Sequence, residues 1–150
     1  MKILVMSDSH SSLRFMHSCI QAVQPDVMIH LGDFFEDAQA VAEDYPHIPL
    51  IQVPGNCDRW RISPGEPEII VTRVDGVDLY LTHGHHANPD NLPPLEVGSI
   101  FLSGHTHVKI DKEVEGIRCL NPGSVSIPKD GSHSCLIFEK GDFRFHIWED

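Results

Sequence analysis

The chain predicts an α/β fold of two packed sheets flanked by helices, in a single domain spanning residues 1–150. Three observations carry this reading. The first third alternates apolar strand-like runs with amphipathic stretches. The remainder reads as short strands separated by Gly-containing turns. The length of 150 residues suits one domain with a substantial core, and no linker divides it.

In order along the chain, an apolar run over residues 3–6 predicts the first strand. Ser11 and Ser12 supply a helix N-cap, after which Leu13, Met16, Ile20 and Val23 fall on one face, until Pro25 stops the helix. Residues 27–31 form a second apolar run. A shorter helix is predicted over 36–43, with Pro46 and Pro49 bracketing the approach to a third strand over 50–53. Further strands are predicted over 68–73, 77–82, 99–103, 108–114, 117–120, 134–138 and 143–147. The turns Asp75-Gly76, Glu115-Gly116 and Gly141-Asp142 punctuate them as hairpins. Neither an internal repeat nor a low-complexity segment is present.

Composition narrows the function classes. A net charge of -11, from 22 acidic and 11 basic residues, argues against broad attraction to nucleic-acid phosphates, so stable nucleic-acid binding is not expected. No run approaches the length of a membrane span, and the apolar start ends at once in Ser7-Asp8-Ser9-His10, which predicts no signal peptide. Cys19, Cys57, Cys119 and Cys135 lie far apart without a CxxC pair, and a reducing, cytoplasmic location is expected.

Seven metal-binding side chains stand out: Asp8, His10, Asp33, Asn56, His83, His105 and His107. Nearly all fall where an apolar run gives way to a Gly-rich or polar turn, and strand ends converge on one edge of a covered sheet. Any one of them alone is ordinary: Gly32-Asp33 and Gly55-Asn56 are common turn pairs, and a lone histidine is usually a surface or hydrogen-bonded residue. Their shared position at strand exits changes the reading. Carboxylate, amide oxygen and imidazole without thiolate suit Mn²⁺, Fe²⁺, Zn²⁺ or Mg²⁺. Seven ligands exceed what one ion takes, so two ions sharing a bridging carboxylate are expected, the layout of a hydrolytic centre. His105 and His107 can diverge around a turn after Gly104, each reaching a different ion.

The motifs Asp8-Ser9-His10, Gly32-Asp33, Gly55-Asn56-Cys57-Asp58, Thr82-His83-Gly84-His85 and Gly104-His105-Thr106-His107 occur in that order, followed by Asn121-Pro122-Gly123-Ser124. Together they resemble the calcineurin-like metallophosphoesterases, over residues 4 to 128. Cys57, where many members carry histidine, is similar to the small bacterial and archaeal phosphodiesterase branch. The resemblance implies a four-layer α-β-β-α sandwich of two mixed sheets. It also implies hydrolysis of a small phosphodiester by a hydroxide held between two divalent ions, Mn²⁺ first with Fe, Zn, Ni or Mg as alternatives, and a homo-oligomer.

By the same resemblance, Asp8, His10 and His107 hold one ion, Asn56, His83 and His105 the other, and Asp33 bridges them. The amide of Asn56 can orient the phosphoryl group. Cys57 is a poor proton donor beside the histidine it replaces, which favours diesters and good leaving groups. His85 or His86 can supply that proton instead, or either can be a supporting or exposed residue. Arg59 and Arg61, with Trp60 between them, can meet a substrate or form a solvated loop. Asp58 reads as a supporting residue, the segment from His85 through Pro94 as a rim loop, and 121–124 as closing the site from the opposite side. His17, His30, His47, His133 and His146 have no motif context.

Two other classes share the pattern. A non-catalytic scaffold resembling the retromer scaffold subunit is favoured by loss of ligands, and all seven are present here. A phosphomonoesterase or nuclease is the other; small size, acidic balance and the lack of a DNA-binding domain weigh against the nuclease.

Overall fold

The computed structural model describes residues 2–9, 13–33, 35–55, 69–74, 76–85, 87–124 and 133–148. The first half follows the predicted alternation: β1 (Lys2–Met6), α1 (Leu13–Val23), β2 (Val27–His30), α2 (Phe35–Glu43) and β3 (Leu50–Gln52). Then come β4 (Ile69–Val74), β5 (Val77–Thr82), β6 (Ile100–Leu102), β7 (Lys109–Val114), β8 (Ile117–Pro122), β9 (His133–Glu139) and β10 (Asp142–Trp148).

These strands make two mixed five-stranded sheets, ordered β10-β9-β1-β2-β3 and β4-β5-β6-β8-β7. β1, β2 and β3 pair in parallel in the first sheet, and β5, β6 and β8 in the second. Antiparallel strands close one edge of the first sheet and both edges of the second. The parallel strands of each sheet end at a common edge, which is what places the site.

Period-two alternation sorts the core. Ile3 and Val5 of β1, with Ile29 of β2 and Leu136 and Phe138 of β9, face the second sheet, where Leu79, Leu81, Ile100, Leu102 and Leu120 meet them. Leu4, Met6, Met28, Cys135 and Ile137 face the other way, onto Met16, Cys19, Ile20 and Val23 of α1 and Ala38 and Val41 of α2. Residues 3–6 of β1 are thus buried on both faces and read as an unbroken apolar run rather than an alternating one.

The two-sheet sandwich matches the expected architecture, with a difference on the far side. Among the described residues, the outer face of the second sheet carries no helix. Tyr80, Phe101, Ile117 and Cys119 are covered there by Ala87, Leu92 and Leu95 of the irregular segment between β5 and β6. The rim loop predicted from His85 through Pro94 therefore also closes a core.

The last hairpin turn lies one residue earlier than predicted. Its central residues are Lys140 (φ 54°) and Gly141 (φ 82°), matched by Glu115 (φ 53°) and Gly116 (φ 81°) between β7 and β8. Left-handed φ at both central positions fits the type I′ turn that the twist of two-residue hairpins prefers. The predicted N-cap Ser11-Ser12 lies outside the described residues.

Candidate metal centre

Five of the seven predicted ligands, Asp8, Asp33, His83, His105 and His107, come together at the shared ends of the parallel strands. Asp8 follows β1, Asp33 follows β2, His83 follows β5, and His105 and His107 follow β6. His10 and Asn56 lie outside the described residues, as do Cys57, Asp58, Arg59, Trp60, Arg61 and His86.

The backbone turns sharply where each strand ends. Asp8 (φ 57°), Asp33 (φ 63°), His105 (φ 76°) and His107 (φ 62°) all adopt left-handed conformations that ordinary residues rarely use. Four such residues within one cluster mark a place where geometry is held at some cost in strain. Gly104 permits part of it, because a Cβ there would collide with Ser7 Oγ and come within 2.8 Å of Asp8 Oδ2. A Cβ on Gly55, in the segment after β3, would strike Asp33 Oδ1.

The polar atoms converge. Asp8 Oδ1 lies 3.3 Å from His107 Nε2 and 3.8 Å from His83 Nε2, while Asp33 Oδ2 lies 3.5 Å from His83 Nε2. His105 Nδ1 is 3.2 Å from His83 Nε2. One ligand atom each from Asp8, Asp33 and His107 lies within 4.8 Å of the other two, and all three residues are buried. Oxygen and nitrogen atoms bound to one ion at about 2.0–2.2 Å stand roughly 3 to 4.4 Å apart, so the spacing suits a cation.

The donor set is itself a test of fit. The Leu31 carbonyl can only accept, so His83 Nδ1, 2.7 Å away, carries a proton and Nε2 is the nitrogen that faces the two carboxylates. An acceptor-rich, buried cluster with two carboxylates needs a positive charge at its centre. The residues therefore fit a divalent ion. Burial acts most strongly on His83 and against its charged form, yet hydrogen bonding to Asp33 and the nearby charges of Asp8 and Asp33 raise its pKa overall. Burial, followed by the proximity of His83, lowers that of His105.

Asp8 is tethered through both its carboxylate and its backbone. Its Oδ2 accepts from Ser7 Oγ at 2.6 Å and from the His105 amide at 3.0 Å. Its carbonyl accepts from Ser124 Oγ at 2.9 Å. Asn121, buried in β8, donates to the Gly104 carbonyl at 3.0 Å and to Thr106 Oγ1 at 3.1 Å, and accepts from the Gly123 amide at 2.9 Å. The predicted closing segment thus clamps the turn that carries His105 and His107. His85 stands half-buried beside the cluster, its ring centre 5.5 Å from that of His83 and 6.4 Å from that of His105.

Sequence reasoning missed His30, which is fully buried and bonded to Ser9 and to the Gly32 amide. Its signal was present: a histidine inside an otherwise apolar strand run, buried on both faces, must find polar partners. His133 is buried too, stacked on Phe15 at 4.2 Å, in keeping with its lack of a motif.

Comparison with known proteins gives the site a family. The phosphodiesterase YfcE of Escherichia coli K12 is 32% identical over 157 aligned residues, covering 88% of this chain and 83% of that protein. The phosphodiesterase MJ0936 of Methanocaldococcus jannaschii is 28% identical, covering 99% and 100%. The solved E. coli YfcE, described as a phosphoesterase, superposes with a TM-score of 0.78 at 26% identity, over 93% of this chain and 89% of that one. Vps29 of Entamoeba histolytica, solved with Zn²⁺, shares the fold at 18% identity, with a TM-score of 0.68 over 99% and 98% of the two chains. The family model of the calcineurin-like phosphoesterase superfamily domain matches residues 1–142, and on that match the chain belongs to this superfamily.

Proposed function

We propose that this chain is a metal-dependent phosphodiesterase that hydrolyses small phosphodiesters, using two divalent ions per chain. The observation that carries the reading is the buried convergence of Asp8, Asp33 and His107, with Nε2 of His83 facing both carboxylates. In this reading Asp8, His10 and His107 hold one ion, Asn56, His83 and His105 the other, and Asp33 both. When bound, such a pair supplies a hydroxide nucleophile near neutral pH and offsets charge on the phosphate oxygens.

The chain's own residues do the rest. The Leu31 carbonyl fixes the tautomer of His83, and the Ser7 hydroxyl and His105 amide fix the Asp8 carboxylate before substrate arrives. Asn56 orients the phosphoryl group through its amide, and Arg59 meets its negative charge. His85, at the rim of the cluster, donates a proton to the leaving oxygen where Cys57 cannot. Monoester cleavage is slower, because a dianion needs more neutralisation. Mn²⁺ is the assay metal of choice, and the chain works as one cytoplasmic domain that forms a homo-oligomer.

The test is hydrolysis of a chromogenic aryl phosphodiester beside its monoester, after chelation and re-addition of Mn²⁺, with metal counted on the same sample. Diester cleavage returning with two ions per chain is the expected result. Tight metal binding without turnover of any ester would replace the enzyme by a scaffold, and release of nucleotides from single-stranded DNA at physiological salt would make it a nuclease.

A further inference from the structure

Beneath the cluster lies a buried polar chain that the reaction does not use directly. Ser9, His30 and Asp37 are almost wholly shielded from solvent, at 0%, 0% and 6% exposure. They come from the segment after β1, the last residue of β2 and the first turn of α2. Three such groups in one core need a reason beyond packing, since each costs desolvation unless it is bonded.

Their hydrogen bonds admit one consistent direction. The single hydroxyl proton of Ser9 goes to Asp37 Oδ2 at 2.8 Å in preference to the Asp33 carbonyl at 3.4 Å. The Ser9 oxygen is then free to accept from His30 Nε2 at 3.1 Å, so the proton of a neutral His30 sits on Nε2. That leaves Nδ1 bare, and Nδ1 accepts the Gly32 amide at 3.2 Å. At its other end Gly32 accepts the Asp8 amide on its carbonyl at 2.9 Å. The residue is thereby held from both sides, between the backbones of the two carboxylates that define the centre.

We infer that Ser9, His30 and Asp37 are positioning residues, a one-way relay that fixes the Gly32-Asp33 turn so that the Asp33 carboxylate is aimed at bound metal. The inference rests on the metal-dependent reading above. Without the Asp37 carboxylate, only the more distant Asp33 carbonyl, at 3.4 Å, is left to hold the Ser9 proton away from His30. The imidazole then shifts its own proton to Nδ1, where it opposes the Gly32 amide and loosens the turn.

The test reads metal rather than turnover. Chelated wild-type protein and the variants Asp37→Ala, Asp37→Asn and Ser9→Ala are titrated with Mn²⁺ by calorimetry, with the melting temperature of each metal-free protein recorded alongside. Asp37→Ala and Ser9→Ala are expected to weaken Mn²⁺ binding about 10- to 100-fold. Asp37→Asn, whose amide oxygen still accepts from Ser9, restores affinity to within a few-fold of wild type. Lower melting temperatures with unchanged Mn²⁺ affinity would overturn the relay and leave a purely structural role. Should the variants fail to fold, the ¹⁵N shifts of wild-type His30 decide: an Nε2–H tautomer is expected, and an Nδ1–H tautomer overturns the relay. A wild-type chain that takes up no Mn²⁺ defeats the metal-dependent reading and the relay with it, whereas binding that is equal in wild type and variants defeats the relay alone.

Discussion

His83 donates its Nδ1–H to the carbonyl of Leu31 at 2.7 Å, across 52 residues of sequence, joining the end of β5 in one sheet to the end of β2 in the other. One bond therefore sets a tautomer and ties two layers together. His83→Ala removes both. In the metal-free protein, leaving the buried Leu31 carbonyl unsatisfied should cost about 1–3 kcal/mol, measured by urea unfolding in the presence of chelator. In the wild type, Mn²⁺ at 100 times its dissociation constant adds about 2.7 kcal/mol, and the variant should lose most of that increment. An unchanged increment would remove His83 from the metal site.

Gly32 and Gly76 both have left-handed φ, at 106° and 80°, yet they should respond very differently to alanine. At Gly76 a Cβ meets nothing within 4 Å, so Gly76→Ala costs only backbone strain, about 1–2 kcal/mol. At Gly32 a Cβ would lie 2.6 Å from the Gly55 amide nitrogen and 2.7 Å from His83 Nδ1. Gly32→Ala should cost about 3 kcal/mol or more and also weaken metal binding. Denaturant midpoints of the two variants side by side check this; equal losses would contradict the close approach.

Asn121 lies in β8, outside the predicted ligand set, yet its side chain makes two hydrogen bonds to the turn that carries His105 and His107 and accepts a third from the Gly123 amide. Asn121→Leu should cost about 3 kcal/mol, lowering the melting temperature by roughly 6–12 °C in a chain of this size. Diesterase activity of the surviving folded protein should fall as well, because the two histidines lose their clamp. Full activity per folded molecule would show that the turn holds itself.

Asp33 and Cys57 separate the roles of charge and proton in the reaction. Asp33→Ala should reduce aryl diester hydrolysis to background, because in the proposed centre it holds both ions. Cys57→Ala should stay within about tenfold of wild type, since a thiol supplies little of the roughly 10²–10⁴-fold that a good general acid gives. Steady-state rates for the two variants decide, and equal losses would mean that Cys57 has a larger part.

Much of this protein was legible in its sequence. Strand and helix positions followed from local patterns, since a buried parallel strand such as residues 3–6 is apolar throughout and α1 shows its buried face at Met16, Ile20 and Val23. The ligand types and their positions at strand exits indicated a metal centre, because side-chain chemistry is written in the residue itself. Tertiary structure alone decided what depends on contacts between distant segments. Which nitrogen of His83 faces the two carboxylates is set by Leu31, and the partner of His30 Nε2 by Ser9. The aim of His105 and His107 depends on Asn121, and the cover over the cluster around Phe101 includes Leu92 and Leu95. None of these contacts has a local signature: hydrogen bonds and packing depend on separations in space, and the fold brings together residues that periodicity along the chain cannot relate.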